Sequence, residues 1–442
     1  MVPLADLAAC FEGVIPSIIA TAAADGTPNI AYLSHVAMVD DHHVAISNQY
    51  FAKTAANIRA NPHATLLLVD GRSGRQYRLA LIWERSLDHG PVFERMDRDL
   101  KASSAQVGMG HVMRLKSLDV FRVEDIAPCP AAAPASPPPA GPPVPTLRRV
   151  AETVAHVGAQ ATADALVDTL LHEACAISGA GHALLAIHEP FHDRLITAGS
   201  VGYDSPGTGS EIAPGNSLIA EACAAARTLR QNDLSRVRRL TTAIAADLDS
   251  EERTRTIAVP SLDQALSQIA VPLVVQGRVP GVLFLESPVR LAFDSDCAAA
   301  LETLAAQAAA VLALIEAGDS GDGAAIAGGA APAAGPVIHI TSHAFDDSVF
   351  IDGRYVIKGV AGRLLLYLVE RAIEEQRTEF SNREIRLAGH LKLPEFRDNL
   401  ETRLLLLRRR LDEKELPIRL RRTARGLMHL DMAGRPVIER LD

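Results

Sequence analysis

Ile46–Pro62, ISNQYFAKTAANIRANP, is the stretch that decides how the first third of the chain folds. Val44-Ala45-Ile46 leads in as the end of a buried strand, Ser47-Asn48-Gln49 is a polar turn, and a short helix opens at Lys53-Thr54. Ala52, Ala55, Ala56 and Ile58 fill that helix, and Asn61-Pro62 ends it, since a residue before proline resists helical geometry. Strand end, turn and helix start bring hydroxyls, one ammonium and free backbone N–H groups to a single point. That donor set suits a phosphate.

The flanks read as strands. Ser17–Ala23 and the tight turn Asp25-Gly26-Thr27-Pro28-Asn29 precede Tyr32-Leu33-Ser34-His35-Val36. Downstream, Ala64–Val69 is an unbroken apolar run and Arg75–Ile82 alternates. Residues from about 11 to 127 resemble the pyridoxamine-5'-phosphate-oxidase-like split barrels, which bind FMN. The D-G-x-P-N turn, Ser34-x-Val36, the I-S-N-Q-x-F-x-K-T-x-x-N-I-x-x-N-P block and the Arg75-Gln76 strand carry the resemblance. It implies flavin contacts at Ser47, Asn48, Lys53, Thr54 and Gln76, with Ser34 and the sheet near Tyr32 beside the ring. It also implies a homodimer with flavin at the interface. Haem, a deazaflavin or no cofactor stays open beside FMN, because a phosphate cradle does not identify the ring above it. True pyridoxamine-phosphate oxidases finish with basic and carboxyl-terminal substrate-binding elements, whereas this region ends at Phe121–Pro128 and runs into a linker. The resemblance therefore implies a cofactor scaffold more firmly than an oxidase.

At 442 residues, with about 150 per domain as a guide, the chain should hold about three domains. Pro128–Pro145 (PCPAAAPASPPPAGPPVP) reads as a semi-rigid spacer and Ala317–Pro336 (AGDSGDGAAIAGGAAPAAGP) as a flexible one. The expected layout is a mainly β split barrel over 1–127, a linker over 128–146, an α/β domain over 147–317, a linker over 318–336 and an α+β winged helix over 337–442. Five scattered cysteines form no CxxC, which fits a reducing cytoplasm. No basic region precedes an apolar run at Met1–Ala9, so a signal peptide is not expected. Leu301–Ile315, broken by Glu302 and Gln307, reads as too short to span a bilayer. The net charge of −9 is uneven: residues 337–442 carry about 20 Lys+Arg against about 17 Asp+Glu, leaving about −12 on the rest. A basic end on an acidic body is the layout of a nucleic-acid reader.

In the middle, Val150–Ile177 is amphipathic and helical, with Ala165, Leu166, Leu170 and Leu171 at helical spacing, and His182–His188 (HALLAIH) is a strand. Gln268–Val275, a Gly277 turn, Gly281–Glu286 and a long helix from Cys297 follow. The order and the P-L-x-x-x-G-x-x-x-G-V-L element resemble a GAF domain over roughly 150–317. That resemblance leaves the ligand open between a cyclic nucleotide, a tetrapyrrole, a small metabolite and none; there is no cysteine–histidine pair arranged for bilin attachment.

At the end, Val360–Glu375 is an amphipathic helix with Leu364, Leu365, Leu368, Val369 and Ile373 on one face. Ser381-Asn382-Arg383-Glu384 is a capping box opening a second helix. Asp398–Glu413 is a third, and Pro417–Leu420 pairs with Leu427–Met432 as a hairpin. Three helices and a hairpin resemble the OmpR-type winged helix, in which the last helix reads the major groove of DNA and the hairpin touches the backbone or minor groove. Leu400, Leu404, Leu407 and Leu411 should face the core, leaving Arg403, Arg409 and Arg410 outward with Arg408 at the edge. With Arg421, Arg422 and Arg425 of the hairpin, these are the expected DNA contacts, guanidiniums being suited to phosphates and guanine edges. Met428 and His429 stand where the family's wing has glycine and tyrosine.

Other motifs fall away. His42-His43 and His188/His192 have no third ligand at metal spacing, and Asp247–Glu252 lacks the glycine of a calcium loop. Gly207-Thr208-Gly209-Ser210 does not continue into a phosphate-binding loop, and no nucleophile–base–acid set has supporting context. The expected function is a cytoplasmic one-component transcriptional regulator sensing redox state or a small molecule. The alternative is an FMN-dependent oxidoreductase of a small substrate with the other domains regulating it.

Overall fold

A computed structural model describes residues 2–12, 15–33, 35–48, 52–105, 115–130, 145–189, 193–215, 217–234, 255–318, 335–388, 400–424 and 426–441. Ser34, Arg425, His192, the Asp247–Glu252 turn and most of both linkers lie outside the described residues.

The first seven strands are β1 (Ser17–Ala22), β2 (Pro28–Leu33), β3 (Val36–Asp40), β4 (His43–Asn48), β5 (His63–Val69), β6 (Gln76–Leu87) and β7 (Ser117–Pro128). They form one sheet in the order β2-β1-β5-β6-β7-β4-β3, every pairing antiparallel. Helix α1 (Ala52–Ala60) joins β4 to β5, and α2 (Pro91–Ala105) joins β6 to β7. The long β6–β7 pair slips register at Ala80/Leu81 and Trp83/Arg85, and such bulges bend a sheet over itself. Leu66, Leu68, Leu79, Leu81 and Phe121 from alternate positions fill the interior. Asp119 of β7 ties three strands together: it accepts from Asn48 Nδ2 at 3.2 Å, Trp83 Nε1 at 3.3 Å and Ser86 Oγ at 2.6 Å.

The second unit has helices α3 (Leu147–Gly158) and α4 (Ala163–Ser178), then strands β8 (His182–Glu189), β9 (Arg194–Val201) and β10 (Glu211–Ile212). Helix α5 (Leu218–Ala225), strands β11 (Leu229–Gln231), β12 (Ser267–Val275) and β13 (Arg278–Ser287), and helix α6 (Ser295–Gly318) complete it. Its sheet runs β10-β9-β8-β13-β12-β11. Helices α3, α4 and α6 cover one face, where Leu170, Leu185, Leu283, Leu301 and Leu312 meet. Helix α5 covers the other, over Leu184, Ala186, Val282 and Phe284. Burial on both faces is why β8 reads as a continuous apolar run rather than an alternating one. Two glycines in the motif are required by geometry. Gly277 at φ +74° follows Gln276 at φ +49°, the paired left-handed residues of a tight hairpin. At Gly281 a Cβ would lie 2.7 Å from the Ala186 carbonyl of β8.

Helix α6 corrects the shorter apolar run read from sequence. Ser295–Ala317 is long and apolar enough to cross a membrane by length and composition, yet half of it is buried. Leu301, Leu304, Ala305, Ala308 and Leu312 sit in the core of the second unit.

The last unit opens with β14 (Val337–His343), β15 (Ser348–Ile351) and β16 (Arg354–Ile357). Helix α7 (Gly359–Glu375), β17 (Glu379–Ser381), α8 (Asn382–Leu387) and α9 (Leu400–Glu413) follow. The chain then forms the hairpin β18 (Ile418–Ala424) and β19 (Leu427–Met432) and ends in β20 (Arg435–Leu441), which pairs in parallel with β14. Ser381 caps α8 by accepting from the Glu384 amide at 3.1 Å. Leu364, Leu365, Leu368 and Val369 of α7 pack against Leu400, Leu404, Leu407 and Leu411 of α9 in one core, as their spacing implies. Ile373 is instead exposed near the end of α7.

Candidate functional site

The barrel's polar cluster sits where α1 crosses β1 and β2. Asn29 Nδ2 donates to Thr54 Oγ1 at 3.1 Å, and Asn57 Nδ2 donates to Thr21 Oγ1 at 3.1 Å. Because Thr54 Oγ1 accepts from Asn29, its own proton is left for another acceptor. Lys53 is exposed beside it at the start of a helix with no acidic residue in its first turn. An exposed ammonium, a hydroxyl proton and a helix N-terminus form the anion-binding set that the sequence predicts, and they fit the phosphate end of a flavin nucleotide.

The other predicted contacts do not converge there. Ser47 is buried and its hydroxyl donates to the His35 carbonyl at 3.3 Å, while Asn48 is committed to Asp119. Gln76 pairs with Val69, five residues along β5 from the Ala64 that faces Thr21. At about 3.3 Å per strand residue that offsets it by roughly 16 Å along the strand direction, and it stands two strands over from β1. Gln76 is exposed, as are Ile30 and Tyr32, each 70% accessible on the outer face of β2.

On the α5 face of the second unit, Glu286 is buried and accepts from Tyr203 Oη at 2.9 Å, Gln268 Nε2 at 2.7 Å and the Leu262 amide at 2.9 Å. Burial outweighs these bonds and pushes the Glu286 carboxyl above the ordinary glutamate range. Burial, with Glu286 beside it, pushes the Tyr203 hydroxyl up as well. The cluster pins the segment at Leu262 to the sheet. Burial raises four thiols too, Cys175 and Cys223 to about 11 and Cys10 and Cys297 to about 12, so none of these is a ready thiolate. All five cysteines are free, and no group of three metal-ligating side chains occurs among the described residues.

The arginines of α9 are where the structure departs furthest from the sequence reading. Arg410 does not face outward: it is 1% exposed, its Nε donates to the Val356 carbonyl at 2.9 Å and its Nη1 lies 3.0 Å from Glu413. Arg403 is turned into the second unit, with Nη1 3.1 Å from Glu189 Oε1. Arg409 reaches the Asp164 and Asp168 carboxylates at 3.2 and 2.7 Å, and Arg408 also pairs with Asp164. Between these arginines, Leu405 and Leu406 enter the core of the second unit. In the hairpin, Arg422 is held by Glu401 at 2.6 Å, while Arg421 is exposed and pairs with Asp431 at 2.7 Å. The reason is visible in LETRLLLLRRRLDE itself: four consecutive leucines cannot share one helical face, so two of them lie on the face given to the arginines.

Around Arg403 the pairing continues as a chain. Glu189 Oε2 meets Arg194 Nε at 2.6 Å, Arg194 Nη1 meets Glu211 at 2.7 Å, and Glu211 meets Lys358 Nζ of the last unit at 3.2 Å. Glu189, Arg194 and Glu211 were not singled out from sequence; isolated charges in strands give no signal until their partners are placed.

Comparison with known proteins places the first two units. Residues 5–123 match the family model described as pyridoxamine 5'-phosphate oxidase, and residues 160–313 match that of the GAF domain. No curated protein matches the chain. A solved FMN-binding protein from Syntrophomonas wolfei subsp. wolfei is 20% identical over 29% of this chain and 87% of its own, with a TM-score of 0.25. The GAF domain of an Acinetobacter phosphoenolpyruvate-protein phosphotransferase is 16% identical over 39% of this chain and 94% of its own, at 0.32. The free methionine-R-sulfoxide reductase of Neisseria meningitidis, solved with its substrate, is 22% identical over 37% and 84%, at 0.29. The chain thus carries a pyridoxamine-phosphate-oxidase-like domain followed by a GAF domain.

Proposed function

We propose that this chain is a sensor-regulator. Its barrel holds a flavin nucleotide, FMN, by the phosphate at Lys53 and Thr54, its GAF domain takes a small molecule, and its last unit acts as a winged helix that binds DNA. The observation that carries this reading is that α9 is seated on the GAF domain through Arg403, Arg408 and Arg409. Sensor and output share one surface, so a ligand that binds the two arrangements of that surface unequally would shift the output. A bound flavin would supply reversible electron acceptance; the chain's own part is to hold its phosphate.

The homodimer that the split-barrel resemblance implies would use the exposed Gln76, Ile30 and Tyr32 as its contact surface. The absorption spectrum of the purified protein tests the cofactor. A flavin spectrum that is released by heat and lost in Lys53→Ala is expected, whereas a haem or deazaflavin spectrum would replace FMN in this reading. DNA binding whose logarithm falls linearly with log salt is expected, and its complete absence would remove the output. The second reading, a flavin oxidoreductase of a small substrate, is favoured by the match over 5–123 and requires turnover with reduced nicotinamide.

A further inference from the structure

The contact between α9 and the GAF domain has the chemistry of a latch. From the proposed DNA-reading role of the last unit, we infer that the GAF domain holds the chain in a closed state by occupying the outer face of α9 with its own carboxylates, so that binding of a polyanion through that face requires release.

Three observations converge. First, the guanidiniums that would grip phosphates are bound to GAF carboxylates: Arg403 to Glu189, Arg408 and Arg409 to Asp164, and Arg409 to Asp168. A guanidinium paired to a carboxylate cannot present the same fork to a phosphate, so the two partners compete for the same atoms. Second, the fit is built. Gly199 of β9 leaves the space that Arg409 occupies, since a Cβ there would collide with Nη1, and Leu405 and Leu406 lie in the GAF core. Third, the pairing is deep: the side chains of Glu189 and Arg403 are 4% and 9% exposed, so salt screens them little.

The strands that carry the latch also face the opposite side of the sheet. Leu195 and Ile212, next to Arg194 and Glu211 in the chain, point into the core beneath α5. A rearrangement on that face moves β9 and β10 and, with them, the carboxylate chain from Glu189 to Glu211 that holds Arg403 and Lys358. The regulation has a sign: the GAF domain restrains the output, and anything that binds the open state better than the closed one favours opening by the ratio of the two affinities.

The test uses the full-length chain, and its first two variants leave α9 untouched. Asp164→Asn combined with Asp168→Asn, and separately Glu189→Gln, should speed amide exchange across 400–413 and tighten binding to a mixed-sequence duplex at low salt. About 5- to 150-fold is the usual range for coupling between two sites. Arg409→Gln breaks the same contact from the other side and should give the same exchange without tighter duplex binding. Exchange across 400–413 unchanged in all three variants, with the GAF domain folded by circular dichroism, overturns the latch. Faster exchange with no duplex binding in any form supports the latch and removes the DNA-binding reading instead.

Discussion

Replacing Arg410 by alanine separates a structural arginine from a DNA-reading one. The guanidinium is buried within the last unit, holds the Val356 carbonyl at 2.9 Å and lies 3.0 Å from Glu413. Its loss leaves a strand carbonyl and a carboxylate without that partner. Breaking a buried pair from one side costs about 3–5 kcal/mol. Glu413 keeps partial access to water, with its side chain 15% exposed, so the lower bound of about 3 kcal/mol applies. At about 1.4 kcal/mol per decade, that is roughly a hundredfold faster exchange for amides of β16 and α9 that open with the whole unit. Arg410→Lys should recover little, since an ammonium lacks the fork that reaches both partners. Exchange within about threefold of wild type, together with weaker DNA binding, would refute the buried placement and return Arg410 to the outer face.

Asp119→Ala should destabilise the barrel by about 2–4 kcal/mol, since Asn48, Trp83 and Ser86 all lose their acceptor. The chain has a single tryptophan, so the urea midpoint and emission wavelength of Trp83 report this directly, and an unchanged emission would count against the bond. For Glu286, burial raises the folded carboxyl above its unfolded value. The folded state then binds the proton more tightly, so the stability this brings is present below about pH 4.3 and fades as pH rises through the raised folded value. Glu286→Gln should flatten the fall of the GAF urea midpoint with pH. Glu12 and Asp164, raised likewise by burial, keep a share of the slope, but curves that run parallel for variant and wild type would contradict the assignment.

Much of the architecture is written in local pattern. The strand-turn-helix at Ile46–Pro62, the apolar run HALLAIH, the Gly277 and Gly281 spacing and the capping box at Ser381 each act within a few residues of themselves. Periodicity and turn chemistry therefore place β4, α1, β8, the β12–β13 hairpin and α8 without knowledge of what lies across the fold. The inward face of α9 was legible for the same reason, because a repeat of three and four residues on one helix needs only the helix.

Partnership over long range was not legible. Gln76 stands far from Lys53 because strand register, a product of tertiary pairing, sets where each residue falls along the sheet. Arg403 and Glu189 are 214 positions apart, and nothing local marks either as the other's partner. An arginine in a helix carries the same charge whether it faces water, phosphate or a neighbouring domain. Which of these it meets is decided by the packing of Leu405 and Leu406 into the GAF core, a choice made by buried apolar area between domains rather than by the helix itself. The sequence alone determined many of the elements and the leucine face of α9; the tertiary structure decided the β14–β20 pairing and which charges meet.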